Sequence, residues 1–279
     1  LRAADAQQQA AASADMAGRA TAQVGQLEAA MRAAGHAIEA MKAAGLEARD
    51  KADRSPVTEA DEAAERILEA AVRALEPDAT IVGEEAASAG RMPPPSGRFW
   101  LIDPLDGTRD FLAGRDGYTV NLGLVVAGAP VFGLVLHPPS GRLWGGAQGE
   151  GAWRLDRDGT RTPIRTRPLP DAPALLVSHA HLDARTRAWV ESVPGATRTD
   201  AGSSIKFCLL AEGAADAYPR FGPTMEWDTA AGDAVLRAAG GLTLGEDGQP
   251  FRYGKPGYRN GPFLALADPR ATGRLPAFG

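Results

Sequence analysis

The stretch from residue 118 to residue 146 leaves this chain the least conformational freedom. Short runs of strand character at 118–126, 131–136 and 142–146, the first two rich in Val and Leu, are cut by Ala127-Gly128-Ala129-Pro130 and Pro138-Pro139-Ser140-Gly141. Spacers this short reverse the chain and have no room for a crossover helix, so the runs predict an antiparallel meander. Such a sheet needs an apolar cover on at least one face. Upstream, Val24, Leu27, Met31, Ile38 and Met41 recur at helical spacing toward Gly45. A second helix following Ser55-Pro56 carries Ala63, Ile67, Leu68 and Leu75 and stops before Pro77. These read as two packed helices.

Between helices and meander, Thr80-Ile81-Val82 and Phe99-Trp100-Leu101-Ile102 read as short buried strands separated by a Pro-rich loop at 90–97. Beyond a Pro/Arg-rich connector at 160–173, a strand near 175–178 alternates with helices near 183–190, 205–211 and 228–239. The expectation is a two-lobed α+β / α/β chain, with an α+β lobe over 23–160 and an α/β lobe over 161–279. Residues 1–22 are Ala/Gln-rich without large side chains, an extension expected to be a frayed helix or disordered.

With 44% hydrophobic and 23% charged residues in 279, the chain has the composition of a packed globular protein. Its formal charge of −5 lacks the basic footprint of a nucleic-acid polymer binder, so any phosphate must be met locally. Cys208 is the lone cysteine, which excludes an intrachain disulfide or a cysteine-based zinc site and fits a reducing compartment. His179 and His181 have no partner motif and read as surface or packing residues. No apolar run is long enough to span a membrane, and the N-terminal stretch lacks the apolar core of a secretory signal.

Chemistry concentrates in Trp100-Leu101-Ile102-Asp103-Pro104-Leu105-Asp106-Gly107-Thr108. Asp103 ends an apolar strand, Pro104 fixes the local φ, and Asp106 follows at i+3 in a tight turn, so both carboxylates face one point. The Leu105 carbonyl adds a third oxygen, a donor set that Mg²⁺ accepts. Gly107 lets a phosphate approach the backbone, and Thr108 opens a short helix whose first amides favour an anion. Taken alone, the same segment is equally an ordinary turn. Glu84-Glu85 after a buried strand are costly unless a cation offsets their repulsion, although Glu85 also reads as a solvated loop acid. Thr58 and Asp61 match a capping box, and Asp228 suits the dipole of a helix start. Each of these two acids has a sufficient structural explanation by itself. Trp227 and Cys208 read as core.

Taken together, Glu84-Glu85, the 100–108 segment and Trp227-Asp228-Thr229-Ala230-Ala231-Gly232 resemble, in order and spacing, the lithium-sensitive, Mg²⁺-dependent inositol monophosphatase-like superfamily. The likeness runs from about residue 24 onward. Residues 51–61 look like the first motif of its CysQ-type 3'(2'),5'-bisphosphate nucleotidases, and 202–213 with 218–224 resemble that subgroup most. The resemblance implies a layered αβαβα sugar-phosphatase-like fold. It implies that Glu84, Asp103 and the Leu105 carbonyl hold one Mg²⁺, that Asp103, Asp106 and Asp228 hold a second, and that two or three ions occupy the site. Thr108 and Asp61 would orient and help deprotonate the attacking water. The scissile phosphate would meet Glu84, Leu105, Asp106, Gly107, Thr108 and Asp228, and a second phosphate would meet Gly202, Ser203, Ser204, Lys206 and Arg220. Lys206 and Arg220, each taken alone, read equally as solvated surface charges.

The first functional reading is hydrolysis of adenosine 3',5'-bisphosphate to AMP and phosphate, with the 3'-phosphorylated sulfate donor as a further substrate. The second is an inositol monophosphatase or broad sugar-phosphate phosphatase. The third, of another class, is a non-catalytic nucleotide- or metal-binding protein, disfavoured because every implied acid is present. The partner is a small nucleotide bisphosphate. A cytoplasmic enzyme, free or peripheral at the inner membrane and either monomeric or homodimeric, is implied. Arg109-Asp110 stand where the resemblance leads one to expect Lys-Glu, and the loop at 86–98 is short and Pro-rich.

Overall fold

A computed structural model describes residues 23–43, 49–50, 56–57, 59–178 and 182–278. The expected extension at 1–22, residues 51–55 of the motif at 51–61 with Thr58 of the capping box, and His179 with His181 lie outside the described residues.

Helix α1 (Val24–Ala43) buries Leu27, Met31, Ala34 and Ile38 at the predicted spacing. A two-residue pair, β1 (Arg49–Asp50) and β2 (Pro56–Val57), precedes α2 (Glu59–Leu75), which buries Ala60, Ala64, Leu68 and Val72. Both helices pack with Trp100, Leu122, Leu124 and Leu134 in one apolar cluster. Each fully buried Leu, Ile or Met there contributes about 1.5–3 kcal/mol over its exposed state.

They cover a seven-stranded sheet in chain order: β3 (Ile81–Gly83), β4 (Arg98–Asp106), β5 (Thr119–Val126), β6 (Ala129–His137), β7 (Arg142–Ala147), β8 (Gly151–Leu155) and β9 (Arg161–Ile164). The β3–β4 pair is parallel and the others are antiparallel. The meander is therefore as read, with one correction nearby. Residues 161–164, expected within the connector, form an edge strand of this sheet past residue 160; Pro163 is tolerated on an edge, and three exposed positions leave no apolar alternation to read. Glu85, which also reads as a solvated loop acid, lies with Glu84 in the first turn of the short helix α3 (Glu84–Ser88). A second short helix, α4 (Thr108–Leu112), follows β4.

The second sheet contains β10 (Ala174–Val177), β11 (Thr197–Asp200), β12 (Ala217–Arg220), β14 (Leu242–Gly245) and β16 (Phe263–Leu266), in the order β11-β10-β12-β16-β14. It is mixed: β10 runs parallel to β11 and β12, while β16 is antiparallel to β12 and β14. A separate pair joins β13 (Thr224–Met225) to β15 (Arg259–Asn260). Helix α5 (Ala184–Glu191) covers the outer face through Trp189, packed with Leu175, Ala217 and Leu264. Helices α6 (Ile205–Ala211) and α7 (Ala230–Ala238) lie between the sheets. Cys208, Ala231 and Val235 meet Val135 and Trp144 of the first sheet, while Phe207 and Leu236 join Tyr218 and Phe263 of the second. Helix α7 is buried from Ala230 to Leu236, its Asp233 paired with Arg237 at 2.9 Å, as suits a helix with sheets on both sides. The layers run α, β, α, β, α, as the resemblance implied.

Candidate active site

In a regular strand, residues three apart point to opposite faces. Asp103 and Asp106 escape this because β4 carries one extra residue between them: Asp103 pairs with Asn121 and Asp106 with Thr119, only two positions apart on β5. The bulge falls at Pro104-Leu105, where a missing N–H costs no ladder bond. Both carboxylates therefore share a face with Asn121 and Thr119. What the sequence reading took as a turn after the strand is a bulge within it. Asp103 Oδ1 accepts the Leu105 N–H at 3.1 Å, and the Leu105 carbonyl accepts the Thr108 hydroxyl at 3.0 Å.

Gly107 then turns the chain into α4 at φ +96°, and a Cβ there would lie 2.7 Å from the Gly117 carbonyl oxygen. Only glycine fits that conformation and that approach. Glu84 enters from the first residue of α3, which places its carboxyl in hydrogen-bond contact with Asp103. Its helix is held by Glu65 of α2, whose carboxylate accepts the Glu85 and Ala86 N–H groups at 2.8 Å each.

Asp228 comes from the turn before α7 and accepts the Met225 N–H at 2.8 Å. Behind it, the fully buried Glu226 accepts the Gly254 and Lys255 N–H groups at 2.7 and 2.9 Å and pairs with the Lys255 ammonium at 2.7 Å.

The loop entering α6 crosses toward these acids. The Ser204 N–H donates to Asp106 at 2.8 Å, and its hydroxyl meets Asn121 Oδ1 at 2.6 Å and Thr119 Oγ1 at 2.8 Å. Lys206 is 1% exposed and donates to the Ala201 and Ser203 carbonyls at 3.1 and 2.6 Å, its ammonium 4.9 Å from the Tyr218 ring centre. Arg220, at the end of β12, reaches the Gly222 and Pro223 carbonyls at 3.4 and 3.3 Å. Neither cation is a solvated surface charge.

These groups line a cleft of about 1040 Å³, and Glu84, Asp103, Leu105, Asp106, Gly107, Thr108, Gly202, Ser203, Lys206, Arg220 and Asp228 all face it. Two expected residues do not. Ser204 is buried in the polar network beneath the wall, with its amide donating to Asp106, and is not among the lining residues. Asp61 is buried in the first turn of α2 and is not among the lining residues. Trp227 is core, as read, and also borders the cleft. The sequence reading missed Glu65, Asn121, Thr119 and Glu226. Glu65 had a signal, an acid at i+4 from Asp61 on an otherwise apolar face.

Burial, reinforced by Glu84, Asp106 and Asp228, pushes the Asp103 carboxyl well above the usual range. Burial and then Asp106 and Glu84 do the same to Asp228, and Asp106 is pushed up to about 6 by burial against the pull of Lys206. Burial lowers Lys206 to about 7. Among the described residues, no three acids, imidazoles or thiols close into a ready-made ligand cage. What the cleft has is a set of buried oxygen donors whose mutual repulsion a hard divalent cation would relieve, so the donor chemistry fits Mg²⁺. No described helix is long and apolar enough to cross a membrane.

Comparison with known proteins agrees with this architecture. The model of the inositol monophosphatase family matches residues 20–273. The 3'(2'),5'-bisphosphate nucleotidase CysQ of Escherichia coli strain K12 is 40% identical over 203 residues, 73% of this chain and 81% of that protein. The crystal structure of CysQ from Bacteroides thetaiotaomicron, a bacterial member of the inositol monophosphatase family, superposes with a TM-score of 0.72 at 31% identity, covering 88% of this chain and 97% of that one. An inositol monophosphatase from Zymomonas mobilis superposes at 0.73 with 25% identity, over 90% and 94% of the two chains. A match over nearly the whole chain, and a shared fold that brings the separate acidic motifs to one cleft, mean that the chain belongs to the inositol monophosphatase family.

Proposed function

We propose that this chain is a Mg²⁺-dependent phosphatase that removes the 3'-phosphate of adenosine 3',5'-bisphosphate to give AMP and phosphate, and that it also accepts the 3'-phosphorylated sulfate donor. The observation that carries this reading is a single cleft where four buried or half-buried acids stand beside two cations, Lys206 and Arg220. The activity named for the relatives that are 40% identical supports the substrate class. We read the chain as two lobes, the first running from residue 23 through β9 and supplying Asp61, Glu84, Asp103, Asp106 and Thr108, and the second supplying Asp228, Lys206 and Arg220.

Glu84, Asp103, the Leu105 carbonyl, Asp106 and Asp228 would hold two or three ions. When bound, Mg²⁺ supplies Lewis-acid stabilisation of the phosphoryl group and lowers the pKa of water. Thr108 holds its hydroxyl at the Leu105 carbonyl, at the head of α4, where with Asp61 it would orient the attacking water. Gly107 and Thr108 offer backbone N–H groups to the scissile phosphate, and Gly202, Ser203, Lys206 and Arg220 receive the second phosphate. Little covalent chemistry falls to the protein in such a displacement. Cys208 is excluded as a nucleophile, since burial pushes its thiol up and it lies in the core. A cytoplasmic location, free or peripheral at the inner membrane, belongs to the same reading and is supported by the single buried thiol.

The test is phosphate release by the purified chain with Mg²⁺ from adenosine 3',5'-bisphosphate, inositol 1-phosphate and a set of sugar phosphates. The highest kcat/KM is expected for the bisphosphate. A preference for inositol 1-phosphate would move the chain to the second reading. Nucleotide binding without release from any substrate would make it a binding protein.

A further inference from the structure

Asp61 and Glu65 stand at i and i+4 on α2, on one face, and are 1% and 6% exposed. A buried carboxylate beside Ala64 and Leu68 is costly unless its oxygens are satisfied. Its partners account for the placement. Oε2 accepts the Glu85 N–H and Oε1 the Ala86 N–H, both at 2.8 Å, and these are first-turn amides of α3 that have no partner within their own helix. Gly83, at the N-cap of α3, has no side chain to serve them. A Cβ at position 83 would lie 2.5 Å from the Glu65 carboxyl carbon and from Oε2, so the missing side chain is what lets the carboxylate reach. Glu84, in hydrogen-bond contact with Asp103, is the residue between that glycine and those two amides.

We propose that Glu65 is a positioning residue for the reaction: by gripping the amides of Glu85 and Ala86 it sets where Glu84 stands relative to Asp61, one turn away on the same helix. The proposal rests on the reading above, in which Glu84 holds Mg²⁺ and Asp61 directs the water. One carboxylate thereby ties the metal-holding end of the first sheet to the helix that carries the water-directing acid. A residue serving only the core would be replaceable by an apolar side chain without consequence for metal affinity; Glu65 would not be.

The test uses Mn²⁺ as a probe for Mg²⁺. Binding is read by electron paramagnetic resonance on the substrate-free protein, with thermal unfolding as the fold control and bisphosphate kinetics across Mg²⁺ concentrations. Glu65→Gln and Gly83→Ala, each with a cooperative unfolding transition, are expected to weaken Mn²⁺ binding by about 10–100-fold, the usual cost of losing an outer-shell partner. The Mg²⁺ concentration for half-maximal rate should rise in parallel, with little change in bisphosphate KM at saturating Mg²⁺. The double variant should be no worse than the weaker single one, because both changes break the same contact. Should Glu65→Gln fail to fold, Gly83→Ala still displaces the carboxylate. Unchanged Mn²⁺ affinity in a folded variant, or additive losses in the double variant, would overturn the role. A wild-type protein that binds no Mn²⁺ would instead overturn the metal reading on which it rests.

Discussion

The backbone N–H of Ser204 donates to the carboxylate of Asp106 at 2.8 Å, so an acid on a strand of the first sheet is held by the loop that leads into α6. The same serine's hydroxyl closes onto Asn121 and Thr119, and the carbonyl of Ser203 next to it takes the Lys206 ammonium. Acid and cation are thus placed by one short loop, and disturbing it should disturb both.

Ser204→Ala removes a fully buried hydroxyl and leaves Asn121 Oδ1 and Thr119 without it. Urea unfolding should show a loss of about 1–3 kcal/mol, the cost of unmatched buried polar groups. A loss indistinguishable from zero would mean that water replaces the hydroxyl without penalty.

Asp103→Asn should separate activity from stability. Turnover should fall by at least about three orders of magnitude, equivalent to about 4 kcal/mol of barrier. In EDTA, however, the variant should unfold no earlier than the parent, since it removes a charge that burial and Glu84 already disfavour. Calorimetry in EDTA beside a phosphate-release assay measures both; earlier unfolding together with retained turnover would contradict the assignment.

Proton linkage gives a signed expectation for the metal-free protein. Asp106 is raised from 3.8 to about 6, Glu65 from 4.5 to about 7, and Asp103 and Asp228 are raised as well. For an acid whose folded pKa is raised, the native state binds more protons than the unfolded state between the two values, so stability falls as pH rises through them. Tm in EDTA should therefore decline from about pH 4 to about pH 7. Because a cation competes with those protons, the stabilisation by Mg²⁺ should grow over the same range, and EDTA should abolish turnover reversibly. A Tm in EDTA that climbs across this window would count against the buried-acid account.

Arg220→Ala should raise KM for adenosine 3',5'-bisphosphate far more than for a nucleoside monophosphate. A lost charge-assisted contact to a second phosphate costs about 1.5–3 kcal/mol, roughly 10–150-fold. Steady-state kinetics with the two substrates decide it, and equal shifts would assign Arg220 to the loop at Gly222 and Pro223 alone.

Gly107→Ala should cost about 1–3 kcal/mol of stability, because φ is +96° and the added carbon meets the Gly117 carbonyl at 2.7 Å. Turnover should fall as well, since the same turn aims Thr108. Circular dichroism melts and kcat together test this.

How much of this was legible beforehand follows from what each feature rests on. The helix stripe Leu27, Met31, Ile38 and the meander were readable because period and punctuation are local properties. The seven positions of α6 were read to the residue, where an apolar run is bracketed by polar loops. Residues 161–164 were not, because an exposed edge strand containing Pro163 has the composition of a linker. The acids at 84, 103, 106 and 228 were found through motif spacing, yet the bulge that turns Asp103 and Asp106 to one side is a register property visible only against β5. Ser204 and Glu65 act through contacts to residues 98 and 20 positions away, which no local pattern announces.

Strand β16 is made after β12 and β14 but lies between them, pairing Ala265 with both Tyr218 and Thr243. A nascent chain short of residue 266 has therefore already exposed every acid of the cleft while β12 and β14 still present bare edges. Unpaired edges of this kind recruit other chains, so the interval before β16 emerges is the aggregation-prone stage of this protein's synthesis. Truncation before Phe263 should accordingly yield material that is degraded or insoluble, not a slower enzyme.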